Sequence, residues 1–338
     1  MSVLGFVLVI IVLALLYDFL NGANDSANAI ATVIATKALT PLNALVLASF
    51  FNVAGAFAFT EVAKTIGKGI VPPESLPTNI FLVVLISGLI GAITWTYICT
   101  TLGIPISVTH SLVGAILGAG IVAGGLGIIN WDVLNNKVFL AIALGPFAGF
   151  IAGAVLFSLI SWLLYLFFKK TPSTKTEGIF KKLQIISASF MAFSHGMNDT
   201  QNAMGVITVA LLIGGFIPTF YVPWWVKLTC GSVMAMGTLL MGWKVIRTMG
   251  WRLTKLEPKH GFSAETGAGI AVVGMSLAGM PVSTTHVIGS AVIGGSFFQS
   301  LQRIRWSEVG KMFTAWVITI PIAAAIGGTA YWVLRFVL

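Results

Sequence analysis

The sequence predicts an all-α polytopic membrane protein made of two inverted-topology repeats, with broken helices or hairpins and roughly 10–12 transmembrane segments. Three observations carry this. The 338 residues are 57% hydrophobic and 9% charged, with a mean hydropathy of +0.98, against about 25% charge in soluble domains. Apolar runs recur from end to end without the strand alternation of an outer-membrane barrel. Two polar motifs each occur twice, in the same order.

The first run, SVLGFVLVIIVLALLYDFL, leads into Asn21–Ala29, NGANDSANA. Ala27-Asn28-Ala29 resembles a signal-peptidase site, but Met1–Gly5 carries no Lys or Arg, so the basic n-region is missing. A second copy of the stretch, HGMNDTQNA at His195–Ala203, also argues against cleavage. Gly22, Asn24, Asp25, Asn28 and Ala29 recur there as Gly196, Asn198, Asp199, Asn202 and Ala203. The second motif, GIPISVTHS at Gly103–Ser111, recurs as GMPVSTTHV at Gly279–Val287. The chain therefore divides into a first repeat, 1–168, a linker, 169–182, and a second repeat, 183–338.

Charge orients the repeats. The linker KKTPSTKTEGIFKK holds five lysines and one glutamate and reads as cytoplasmic. Lys244, Arg247, Arg252, Lys255 and Lys259 mark a second basic loop, and Arg303, Arg305 and Lys311 a third. The loops around Glu61–Glu74 and Trp131–Lys137 balance acids against bases and read as external. From the linker the chain crosses outward through 183–217 and returns through 224–242. A hairpin over 262–278 and 283–298 begins and ends inside, and 309–337 crosses outward. The number of net crossings is odd, so the halves are inverted, a common plan of secondary transporters. The net charge of +9 is accounted for by these loops and does not point to nucleic acid. Cys99 and Cys230 lie in apolar runs and form neither metal spacing nor a disulfide framework.

Each polar motif interrupts an apolar run. An aspartate at the centre of a membrane helix costs about 2.5–3.5 kcal/mol on insertion scales, so such residues face a site. Asp25 and Asp199 need partners, and no Lys or Arg is near either in sequence. Asn24, Asp25 and Asn28, repeated as Asn198, Asp199 and Asn202, offer hard oxygen ligands for a cation. Carboxylates serve sodium and protons alike; the asparagine oxygens beside each Asp favour sodium. There is no HExxH and no zinc spacing.

The second motif suits the opposite charge. Pro105-Ile106-Ser107 and Pro281-Val282-Ser283 read as helix starts with serine N-caps. A half-helix N-terminus presents free N–H groups and about half a positive charge. Ser107, Thr109 and Ser111 add hydroxyls in one half, and Ser283, Thr284 and Thr285 in the other, so a tetrahedral oxyanion could be gripped from two sides. Asp25 and Asp199 could also accept the proton that phosphate retains and sulfate lacks. Any single hydroxyl has a bland alternative, bonding its own backbone. His110 and His286 read either as satisfied buried histidines or as anion donors or proton-sensitive neighbours of the site. Asp18 reads as structural or as a support behind the site, and the glycines after each motif as close helix packing. Asn52 and Glu265 lie inside apolar runs and are candidates for coupling.

The paired GANDxxNA-like and P-x-S-x-T-H motifs, on an inverted duplication covering nearly the whole chain, resemble the inorganic phosphate transporter family. The resemblance implies symport of inorganic phosphate with sodium or protons, by alternating access in the plasma (cytoplasmic) membrane. It implies phosphate, sodium and lipid as partners, sodium as a co-transported ligand rather than a resident cofactor, and no enzymatic activity. The family's acidic pair maps near Asn52 and Glu265, with Asn at the first position here. The short linker stands where animal members carry a long hydrophilic loop. Homo-oligomers are common for such bundles. Proton-coupled or sulfate symport, a passive anion channel and an intramembrane aspartyl protease are the alternatives. For the protease, Tyr17-Asp18 supplies half of a signature whose other half, Gly-x-Gly-Asp, is absent.

Overall fold

The structure, a computed structural model, describes residues 2–169 and 171–337, and all of their side chains except those of Met241 and Arg252. Lys170 of the expected linker and the Arg252 side chain of the second basic loop thus lie outside the described residues.

The described residues form helices, with one isolated β-bridge, Thr254 to Ile304. The first six helices are α1 (Val3–Ala35), α2 (Pro41–Ala56), α3 (Glu61–Gly69), α4 (Thr78–Leu102), α5 (Val108–Gly124) and α6 (Trp131–Phe167). The next six are α7 (Ser173–Ile213), α8 (Trp224–Met241), α9 (Trp243–Arg247, continued by a π turn at Thr248–Arg252), α10 (Pro258–Leu277), α11 (Thr284–Phe297) and α12 (Trp306–Leu334). Helix starts follow the prolines: Pro41 and Pro258 open α2 and α10, and Pro77, Pro172 and Pro223 immediately precede α4, α7 and α8. A proline also sits inside each closing helix, Pro146 in α6 and Pro321 in α12. Most of 169–182 is the polar start of the 41-residue α7 rather than a loop.

By length and composition α1, α4, α6 and α12 can cross a membrane. The bent pairs α2–α3 (71°) and α8–α9 (63°) each count as one more span. The polar motifs lie within α1 and α7 and on the links into α5 and α11 with their first turns, and their side chains are buried in the bundle.

The order long helix, bent pair, hairpin, long helix occurs twice, and the two series interlock. α1 packs on α8 as α7 packs on α2, and α6 covers the hairpin α10–α11 as α12 covers α4–α5. α1 and α7 run antiparallel through the centre. The Thr36 hydroxyl donates to Gln184 Oε1 (2.7 Å) at one end, and Asn21 Nδ2 donates to the Asp199 carbonyl (3.3 Å) further in.

The Asn/Asp motifs do not break their helices. Asn24, Asp25 and Asn28 sit inside continuous α1, and their counterparts inside continuous α7. Their side chains find partners on neighbouring helices, so no backbone group need be released. The breaks fall at the second motif. There Gly103 and Gly279 take φ of 72° and 68°, a left-handed conformation that favours glycine. The short links that follow, 104–107 and 280–283, lead into α5 and α11.

Candidate functional site

Asp25 on α1 and Asp199 on α7 meet at the bundle centre, 2% and 1% exposed. One ligand atom from each of Asp25, His195 and Asp199 lies within 4.8 Å of the others. Among the described residues no Lys or Arg forms an ion pair with either carboxylate. Two carboxylates this close in a dry interior need compensating positive charge.

Both hairpin tips converge on the two Asn/Asp motifs. Ser107 accepts from the His110 N–H (3.1 Å) and Ser283 from the His286 N–H (3.3 Å), which makes both serines the expected N-caps. The Thr285 hydroxyl donates to Asp25 Oδ1 and the Thr284 hydroxyl to Asp199 Oδ2, both at 2.9 Å. The second hairpin therefore touches both carboxylates.

The four asparagines divide into two roles. Asn24 and Asn198 bind the tips of their own halves. Asn24 Nδ2 donates to the Thr100 hydroxyl (2.9 Å), and the Ile106 N–H lies 3.5 Å from Asn24 Oδ1. Asn198 Nδ2 donates to the Val282 carbonyl (2.7 Å) and to Asp199 Oδ1, while the Ser276 hydroxyl donates to Asn198 Oδ1 (2.9 Å). Asn28 and Asn202 cross to the opposite half. Asn28 Nδ2 donates to Thr284 (3.0 Å) and Thr285 (2.9 Å), and Asn202 Nδ2 to Thr109 (2.8 Å). The shared helix face of Asn24 and Asn28 therefore serves two hairpins rather than one ligand.

Both crossing asparagines keep a buried Oδ1 with no hydrogen-bond partner among the described residues, as does Asn21. Buried polar atoms are nearly always satisfied, so these oxygens call for a ligand. With two carboxylates beside them, the donor set is all hard oxygen apart from one imidazole, and it fits an alkali cation.

The histidines face the complementary task. His110 and His286, each on the first turn of its half-helix, meet edge to face at 4.7 Å, and His286 stacks on Trp316 at 4.0 Å. Neither ring nitrogen of His110, nor Nε2 of His286, has a hydrogen-bond partner among the described residues. A ring nitrogen without a partner can donate to an anion held near the helix N-termini of α5 and α11. The Ser111 hydroxyl is taken by the Ser107 carbonyl (3.1 Å).

Asn52 and Glu265 fall into separate clusters. Asn52 Oδ1 lies 3.0 Å from His195 Nδ1, and His195 Nε2 lies 3.1 Å from Asp199 Oδ2. If Nδ1 donates to Asn52, Nε2 presents a lone pair beside the carboxylate, so that both can face one cation. Glu265 accepts from the Thr32 and Ser187 hydroxyls and from Gln184 Nε2 (3.1 Å). This buried carboxylate is held by three donors between α1 and α7.

Sequence reasoning did not single out Thr100, Ser276 or His195. Thr100 and Ser276 stand at matching positions before Gly103 and Gly279, a hydroxyl in each half, and that recurrence was a usable signal. Asp18 is fully buried, and neither of its oxygens accepts a well-formed hydrogen bond among the described residues.

Comparison with known proteins agrees with this architecture. Residues 21–327 match the model of the phosphate transporter family. A probable low-affinity inorganic phosphate transporter of Bacillus subtilis (strain 168) is 40% identical over 336 residues, covering 98% of this chain and 97% of the relative. One from Rhizobium meliloti (strain 1021), described in the same words, is 41% identical over 324 residues, covering 95% and 94%. A solved structure described as the sodium-dependent phosphate transporter superposes with a TM-score of 0.91 at 27% identity, covering 99% of this chain and all of that one. The chain belongs to the phosphate transporter family and is a membrane transporter, not an enzyme.

Proposed function

We propose that this protein is a secondary active symporter that takes up inorganic phosphate coupled to a sodium gradient, by alternating access of one central site. The carrying observation is the buried Asp25–His195–Asp199 cluster between two helix N-termini. Sodium binds at the carboxylates and at the free oxygens of Asn28 and Asn202. Phosphate lies toward the first turns of α5 and α11, against Thr109, Thr285, His110 and His286. Phosphate without sodium, or sodium without phosphate, leaves uncompensated charge in a low-dielectric interior, which gives the coupling its physical basis. The choice of sodium is supported by the donor set and by the sodium-dependent structural neighbour. Glu265 and Asn52 take part in coupling through their contacts with α7.

The two halves form an inverted repeat, which the antiparallel run of α1 and α7 supports. The basic face, with Lys37, Lys181 and Lys244, is cytoplasmic, and the protein resides in the plasma membrane.

Labelled phosphate uptake into proteoliposomes tests this. Uptake collapses when an inward sodium gradient is removed. Equal uptake driven by a proton gradient in sodium-free buffer would overturn the sodium assignment. Strong competition by excess sulfate would overturn the selectivity for phosphate.

A further inference from the structure

The two hairpin tips are held from outside in matching ways. The Thr248 hydroxyl, on the π turn after α9, donates to the Gly103 carbonyl (2.9 Å). The Thr65 hydroxyl, on α3, donates to the Gly279 carbonyl (2.7 Å). Gly103 and Gly279 are the corresponding left-handed residues of the two tips. Each bond runs crosswise, from the bent arm of one half to the hairpin of the other. A lysine supports each: Lys244 Nζ donates to the Thr101 carbonyl (2.8 Å) and Lys137 Nζ to the Ala278 carbonyl (2.6 Å).

A threonine on the last carbonyl of a helix can be ordinary end-capping. Three features go further here. Both threonines ride on arms beyond a kink, α3 after the 71° bend and α9 after the 63° bend. The arms lie at opposite ends of the bundle. Gly250, in the turn after α9, packs by the Ala31 carbonyl near the end of α1, whereas Gly67 of α3 packs by the Gly205 carbonyl near the end of the antiparallel α7. Each latched glycine is also within three residues of the site: Ile106 contacts Asn24, and Val282 contacts Asn198.

We propose that Thr248 and Thr65 are the two gate latches of the transport cycle, one on each face, and that opening one exposes its hairpin tip to that face alone. Both hydrogen bonds are made in this structure, and Asp25 and Asp199 are buried. The proposal rests on the alternating-access reading. It assigns positioning roles: neither threonine touches the Asp25–Asp199 pair. A ligand that pulls Asn24 or Asn198 inward reaches the corresponding latch through the tip.

The test uses the whole transporter in sealed proteoliposomes of uniform orientation, with Cys99 and Cys230 replaced by alanine. Ile106 and Val282 are fully buried, so Ile106→Cys and Val282→Cys serve as reporters for a membrane-impermeant maleimide applied to either face. Thr248→Val raises Ile106→Cys labelling roughly two- to tenfold, the effect of one lost hydrogen bond, and only from the Lys244 face. Thr65→Val does the same for Val282→Cys from the opposite face. Thr→Ser at either position restores the low rate, and Thr→Ala repeats the Val result should Val disturb folding. Labelling of both reporters by one variant, labelling from the wrong face, or no rise in folded Val and Ala variants overturns the latches. Wild-type sodium-driven uptake is measured in parallel; its absence would overturn symport while leaving the labelling result to judge the latches.

Discussion

Thr285 should matter more than its counterpart Thr109. Thr285 accepts from Asn28 Nδ2 and donates to Asp25 Oδ1, each at 2.9 Å, whereas Thr109 accepts from Asn202 at 2.8 Å. Valine matches threonine in shape and removes the hydroxyl. A hydrogen bond to a charged group contributes about 1.5–3 kcal/mol and a neutral one about 0.5–1.5 kcal/mol. Thr285→Val therefore loses about 2–4.5 kcal/mol of interaction, and Thr109→Val about 0.5–1.5 kcal/mol. The excess of about 1.5–3 kcal/mol corresponds to roughly a 10- to 150-fold larger rise in the sodium concentration for half-maximal uptake. Its route is orientation of the Asp25 carboxylate, because groups that orient a ligand typically change ion affinity by about 10- to 100-fold. The assay is the initial rate of phosphate uptake against external sodium for wild type, each single variant and the double variant. Equal shifts for the two single variants, or a larger one for Thr109→Val, would refute the reasoning.

Three further outcomes are expected. Asp25→Asn abolishes sodium-driven phosphate uptake in proteoliposomes; normal coupled uptake by this variant would remove the central role given to the carboxylate pair. Gly237→Ala and Gly55→Ala place a Cβ 1.9 Å from the Phe19 carbonyl oxygen and 2.2 Å from the Phe193 carbonyl oxygen. Both should lower the melting temperature of the solubilised protein by the equivalent of about 1–3 kcal/mol or more, while Gly274→Ala, with open space around it, leaves it unchanged or raised. On the basic face, burial pushes the Glu257 carboxyl up, but the Arg303 hydrogen bond (2.8 Å), His260 and Lys259 together hold it below its ordinary value. A lowered folded value adds stability above the unfolded pKa and loses it as pH falls through the folded one. Glu257→Gln should therefore cost no more than about 1 kcal/mol at neutral pH, with the difference from wild type vanishing in acid melts.

The part of the site legible in sequence is the part written twice. Repetition singled out Asp25 with Asp199, and proline before serine announced the helix starts at Ser107 and Ser283. Both signals are local, so they survive without knowledge of the fold. Pairing across the bundle is not local. Asn28 reaches Thr284 and Thr285 more than 250 residues away, and no spacing rule forecasts that Asn24 and Asn28, one turn apart, grip different hairpins. The continuity of α1 and α7 was hidden for the same reason: polar residues in an apolar run suggest a break until their partners are known. The cage around Glu265 draws on Thr32, Gln184 and Ser187, three ordinary residues whose meaning arises from assembly.

The exchange of closing helices bears on how the chain is made. The hairpin that α6 covers is made of α10 and α11, which leave the ribosome about a hundred residues later, and α4–α5 waits for α12, made later still. Neither half owns the surface that would complete it, so the first must sit in the membrane as an unfinished partner until the second arrives. Two polypeptides divided near residues 168–172 would each be unstable when made alone and would complement each other when made together. The same geometry suits an ancestry in which two copies of one shorter chain assembled antiparallel to each other before their genes were joined.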